Sequence, residues 1–175
     1  NEYALGDLLL VPGMAIPIEA CRTRRDVPII ARRGLNRRRE LCTAMGLDPE
    51  HRVVLVYLGR DGMEAMDWSG LDGGTAQYVT FGAATQATNL LRAIPAGILK
   101  PGDACASVDA VVAKTGYGIC GECIAAGTPL LYPPREQFAE YGVIHALMQA
   151  WGGGLCLDEK RFKASRWAEP LEQLI

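Results

Sequence analysis

From residue 53 onward the chain alternates short apolar runs with stretches of helical period. "RVVLVYLG" (52–59) is almost continuously apolar and stops at a glycine, as a parallel strand covered on both faces does. "AQYVTFG" (76–82) repeats the pattern. "TNLLRAIPAG" gives a weaker third strand around 88–94, where helix and strand period are hard to separate. "VDAVVAK" (108–114) and "TPLLYPP" (128–134) are a fourth and fifth, and "GGGLCLD" (152–158) reads as a short edge strand. The intervening periods predict helices over 117–126, 136–150 and 161–174. Such alternation argues for an α/β fold, a doubly wound parallel sheet with right-handed crossovers. Ligands of these sheets bind beyond the carboxyl ends of the strands, at the turns into the helices.

The first 52 residues follow no sustained period. "GDLLLVPGMAIPIEACRTRRDVPIIARRG" holds prolines and reads as extended segments and turns, whereas "NRRRELCTAMGL" (36–47) is a short amphipathic helix ended by Gly46. We therefore divide the chain into 1–35, a linker or the remnant of a preceding domain, and 36–175, the α/β domain. The chain begins at Asn1 rather than Met, so we expect further parent sequence before it.

Composition adds limits. The 175 residues are 49% hydrophobic and 22% charged, enough for a substantial core. A net charge of -2 gives no overall pull towards nucleic acid. Eight basic residues fall between Arg22 and Arg39, but with no aromatic platform or nucleic-acid motif among them, and a solvated face explains them. No apolar run approaches a membrane span and no signal peptide is evident, so a cytoplasmic protein is expected. The six cysteines stand mostly in apolar surroundings and read as buried free thiols.

The stretch "KTGYGICGECIAAGTPLLYPPREQF" (114–138) carries two chemical signals. The C-x-x-C pair, Cys120 and Cys123, supplies only two of the four ligands zinc needs, and His51 and His145 have no motif partner. Thiol redox chemistry is the better rival, since a thiol at a helix N-terminus is acidified. Yet these cysteines fall inside the helix pattern rather than before it. The turn is better placed. A buried strand runs into Thr115-Gly116-Tyr117-Gly118, then a helix begins whose free N–H groups and dipole suit an anion. Glu122, on the first turns of that helix, could accept both hydroxyls of a ribose. His145, in "VIHALMQAW", reads as a packed helix residue, and Trp151 as an anchor of that helix to the sheet.

"VDAVVAKTGYGICGECIAAGTPLLYPPREQFAEYG" resembles the carboxyl-terminal half of a GT-B glycosyltransferase. It is closer to the glycosyltransferase-like region beside sugar kinases of the arabinokinase type than to the peptidoglycan transferase MurG. The likeness extends over residues 25–160 and is strongest at 108–142, in the order strand, glycine turn, helix, glutamate, G-x-P.

The resemblance implies a Rossmann-like domain that binds a nucleotide-sugar donor, UDP-linked above others, beside an N-terminal acceptor domain and without a metal or other cofactor. It implies that Gly116 and Gly118 shape the pyrophosphate turn, with Thr115 and Tyr117 beside it, and that Glu122 holds the ribose. The backbone near Ile98 would meet the base. Arg135, Glu136, Gln137 and Glu140 would lie near the sugar. Gly59-Arg60-Asp61-Gly62 matches a second glycine loop, although Arg60 departs from its usual serine-containing form. No catalytic residue is implied, since the acceptor domain commonly supplies the base. A non-catalytic regulatory or interaction domain of the same fold, or half of a UDP-sugar epimerase, would share these features.

Overall fold

The computed structural model describes residues 6–16, 18, 21–74, 76–82 and 88–175. Part of the predicted linker, at 1–5, 17, 19 and 20, lies outside them. Two short strands of the N-terminal stretch, β1 (Leu9–Pro12) and β2 (Arg24–Val27), pair in parallel as a separate ribbon. Helix α1 (Arg38–Met45) follows and ends, as predicted, on Gly46 in the left-handed conformation.

Each apolar run then becomes a strand. β3 (Val53–Tyr57), β4 (Gln77–Phe81), β5 (Leu91–Ile94), β6 (Ala110–Ala113), β7 (Leu130–Tyr132) and β8 (Gly154–Cys156) form one all-parallel sheet in the order β5-β4-β3-β6-β7-β8. This is the doubly wound Rossmann-like order, with its switch point between β3 and β6. There Val54 faces Ala110 and Tyr57 faces Ala113. β8 is the edge strand expected.

The period of two in the strands divides the core between two faces. Val53, Leu55, Val111, Ala113, Leu130 and Tyr132 pack with Leu41, Ile119, Cys120, Cys123, Ile144 and Met148 on one face. Val54, Val56, Ala110, Val112 and Leu131 pack with Trp68, Phe162, Trp167 and Leu171 on the other. The first face carries α1, α3 (Pro101–Cys105), α4 (Tyr117–Ala126) and α5 (Tyr141–Trp151). Trp151 packs at the margin of that core, and His145 stacks on Tyr141 with ring centroids 5.3 Å apart.

Four local features differ from the sequence reading. A short helix, α2 (Gly59–Glu64), takes the place of the loop expected at 59–62. α3 went unpredicted, although Pro101 occupies its first turn, where a missing N–H costs nothing. The helix expected over 136–150 starts only at Tyr141. Phe138 N–H bonds back to the Arg135 carbonyl and Tyr141 N–H to that of Phe138, so residues 135–141 form consecutive turns instead. The helix expected over 161–174 is two, α6 (Glu159–Lys163) and α7 (Ala168–Leu174). Ser165 at φ 52° breaks it, and Trp167 turns inward, its indole N–H donating to the Phe162 carbonyl at 3.0 Å.

Candidate nucleotide-binding site

The carboxyl ends of β3 and β6 open side by side at the switch point. β6 is buried along its whole length because helices cover both of its faces. It delivers Lys114 and Thr115 to the sheet edge, where Gly116 turns the chain into α4. Gly116 caps α4 with extended backbone (φ -162°, ψ 156°) and offers no side chain to its N–H groups; no acid stands in the first turn. The leading N–H groups of a helix have no intrahelical acceptor, and the space where side chains on Gly116 or Gly118 would lie is open. The end of α4 is thus an uncapped, accessible positive pole.

α4 is apolar nearly all round, which requires cover on both sides. The sheet covers one side and the extended segment 28–35 the other. A methyl group on Gly121 would stand 3.1 Å from Ala31 Cβ and 3.4 Å from Ile29 Cγ2. The Ile30 N–H donates to the Tyr117 hydroxyl at 2.8 Å, and the Leu35 N–H to Asp103 Oδ1 at 3.0 Å. Gly34 lies so close to α3 that a Cβ there would fall 1.8 Å from the Gly102 carbonyl oxygen.

Glu122 sits five residues into α4, about 7 Å along its axis from Tyr117. Its half-buried carboxyl faces α3. Cys105 Sγ lies 4.0 Å from Oε2, and no nitrogen or hydroxyl donor among the described residues reaches it. Burial pushes this carboxyl up, the Arg32 guanidinium pulls it back, and Asp103 adds to the rise. A carboxylate met by one weak thiol donor keeps acceptors for further hydroxyl donors.

The remaining candidates spread around this end of the sheet. Arg135 donates to the Thr115 carbonyl and lies over the Phe138 ring, 4.2 Å from its centroid. With Pro134, Glu136, Gln137, Phe138 and Glu159 it lines an open cleft of about 570 Å³. Gln137 is exposed, and Glu140 is the residue before α5 without capping it. Thr115 is fully buried, its hydroxyl without a partner among the described residues. Gly59 begins α2 at φ 68°, and Arg60 next to it is exposed. Ile98 lies on the far side, before α3, where its carbonyl accepts from Arg37 Nη1 at 3.0 Å.

The structure also brings in Lys114, which sequence reasoning passed over. Its side chain, with Nζ beside the Gly62 turn, lines a second cleft of about 230 Å³ between α2, α6 and the loops after β6 and β7. A Cβ on Gly62 would stand 3.2 Å from that nitrogen. The available signal was a cation directly between a buried strand and a glycine turn. The thiols, by contrast, are inert in position. Cys120 and Cys123 are 0% exposed, and burial pushes the Cys120 thiol up. Hydrogen bonding with Cys105, then burial, pushes Cys123 well above the ordinary thiol range. A redox nucleophile needs the opposite shift and access.

No protein-family model and no curated protein matches this chain. Among solved structures it is similar to CalG4, the calicheamicin glycosyltransferase, with a TM-score of 0.55 and 23% identity over 73% of this chain and 34% of that one. It is also similar to the glycosyltransferase SnogD from Streptomyces nogalater, with a TM-score of 0.49 and 19% identity over 74% of this chain and 40% of that one. The likeness to CalG4 shows a shared fold, that of part of a GT-B glycosyltransferase. The chain spans about a third of that enzyme's length.

Proposed function

We propose that this chain is the donor-binding half of a GT-B-type glycosyltransferase-like protein and takes a nucleoside diphosphate sugar, UDP-linked above others. The observation that carries the reading is the uncapped, open N-terminus of α4 at the switch point, with the Glu122 carboxyl further along the same helix met only by the Cys105 thiol. The diphosphate rests on the N–H groups of Tyr117 and Gly118, with Gly116 and Gly118 admitting its oxygens. Glu122 accepts the ribose hydroxyls, and the backbone at Ile98 lies on the base side. Arg135, Gln137 and Glu140 stand at the sugar end, and Gly59 and Arg60 flank the diphosphate from the other strand.

Charge grows on the diphosphate as it leaves. The helix end, with Lys114 and Arg135 on neighbouring loops, stabilises that charge without a metal. The acceptor and the general base belong to a partner domain amino-terminal to this one. Kinship with the region beside arabinokinase-type sugar kinases, rather than with MurG, is part of the same reading. So is a cytoplasmic location, supported by the buried thiols Cys42, Cys105, Cys120 and Cys123. Among the described residues no helix is long and apolar enough to cross a membrane.

Calorimetric titration with UDP, other nucleoside diphosphates and UDP-sugars tests the proposal. Saturable binding that Glu122→Ala weakens supports it; no binding by any of them overturns it. One observation favours a second reading, a non-catalytic domain of the same fold: Arg37 already holds the Ile98 carbonyl. An intact chain blind to every nucleotide would decide for it.

A further inference from the structure

The loop 133–140 between β7 and α5 carries Arg135, Gln137 and Glu140, and its two ends meet at one side chain. Tyr132, the last residue of β7, and Tyr141, the first of α5, both lie against His145, one turn further along that helix. The Tyr132 hydroxyl stands 3.0 Å from His145 Nδ1, with its ring edge-on to the imidazole at 5.9 Å. On the other side Tyr141 stacks on the imidazole, with centroids 5.3 Å apart and planes 28° from parallel. A third partner sets the direction of the hydrogen bond. Gln149 Nε2 donates to the Tyr132 oxygen at 3.1 Å and reaches the Gly154 carbonyl at 3.5 Å, so the phenol's own hydrogen is left for Nδ1. Burial pushes this phenol up, which keeps that hydrogen in place. His145 is thus the acceptor, and its ring proton belongs on Nε2.

From His145 an unbroken series of contacts leads back to the turn after β6. The Tyr141 N–H donates to the Phe138 carbonyl and the Phe138 N–H to the Arg135 carbonyl, each at 2.8 Å. The Arg135 guanidinium lies over the Phe138 ring and donates to the Thr115 carbonyl. We propose that His145 is a positioning residue of the donor site: bonded to Tyr132 and stacked on Tyr141, it fixes both ends of the loop 133–140 and so sets Arg135 and Gln137 against the sugar. The inference rests on the donor-site reading above. A loop with neither helix nor strand of its own loses conformational freedom when a ligand orders it, and fixing it beforehand removes part of that cost. The residue type suits both contacts: phenylalanine stacks but accepts nothing from Tyr132, and asparagine accepts but does not stack.

Native-state amide exchange of the ligand-free chain, followed by NMR, tests the clamp. His145→Ala should speed exchange at Phe138 and Tyr141 by about tenfold while the Val111 amide of β6 keeps its protection. His145→Asn, whose Oδ1 takes the place of Nδ1, should recover part of the loss. Leu147→Ala, which trims the same helix where it packs on the core, should leave the loop unchanged. Calorimetry with UDP-glucose is the second arm. His145→Ala should weaken binding by about tenfold, and Leu147→Ala should match the parent chain. Loop exchange that ignores His145→Ala, rises equally in Leu147→Ala or is not recovered at all by His145→Asn overturns the His145 assignment alone. So does a UDP-glucose affinity indifferent to a loosened loop. A loop that loosens as expected, in a chain whose parent binds neither UDP nor UDP-glucose, overturns the donor-site reading beneath it.

Discussion

Arg135 donates to the carbonyl of Thr115, tying the loop after β7 to the turn after β6 directly below the open end of α4. The same guanidinium lies over Phe138. Its flat, forked shape serves both contacts at once, which an ammonium cannot do. Arg135→Lys should therefore fail to rescue Arg135→Ala, both weakening UDP binding by roughly tenfold or more. Titration calorimetry on the two variants checks this, and an Arg135→Lys that binds UDP as the parent chain does would show that charge alone matters.

Gly116 separates helix stability from anion binding. Its backbone is extended and its side-chain space empty, so a larger residue fits without strain. An aspartate there would cap α4 and stabilise it by a few tenths of a kcal/mol. It would also place a negative charge at the proposed diphosphate position. Gly116→Asp should leave the thermal midpoint unchanged or slightly higher and abolish UDP binding, as calorimetry and thermal unfolding would show.

Glu122 should act oppositely on stability and function. Its carboxyl is pushed up by burial, so the folded chain binds its proton more tightly than the unfolded chain does. Stability from this group is present below the unfolded carboxylate range and is lost as pH rises through the folded value. Glu122→Gln removes that penalty. Denaturant unfolding should find the variant more stable than the parent near pH 7, with the gain vanishing near pH 3, while UDP binding falls.

Trp167 is fully buried, edge-on to Trp68 at 6.0 Å and tilted against Phe162 at 5.7 Å and Tyr78 at 6.3 Å. Truncating it opens a cavity on the α6–α7 face of the sheet, far from α4. Trp167→Ala should cost about 3–5 kcal/mol in chemical unfolding. In the fraction still folded, UDP affinity should be close to that of the parent chain.

The sheet was legible because burial on both faces leaves an unmistakable trace. The runs "VVLVY" and "AVVA" are short, continuously apolar and followed closely by a glycine turn, and α4 was readable from Tyr117 to Ala126 because Gly116 and Gly127 bound it. What stayed hidden depended on contacts distant in sequence. Ser165 looks like any helix residue until Trp167 must reach the core. α3 is too short to show a period. The segment 28–35 has no pattern of its own, since glycines 34, 102 and 121 set its course by close approach. Lys114 could not be weighed from sequence, because its meaning lies in what stands opposite, the Gly62 turn of α2. The turn and Glu122 were readable since strand, glycines and acid are contiguous.

Where a nucleotide touches the chain is the deciding observation. Backbone amide chemical-shift mapping during a UDP titration reads this directly. The largest shifts should fall on the amides of Tyr117, Gly118 and Ile119, with smaller ones at Glu122 and Arg135. Saturating UDP that leaves these amides unmoved, or that shifts only residues elsewhere, would contradict the donor-site reading.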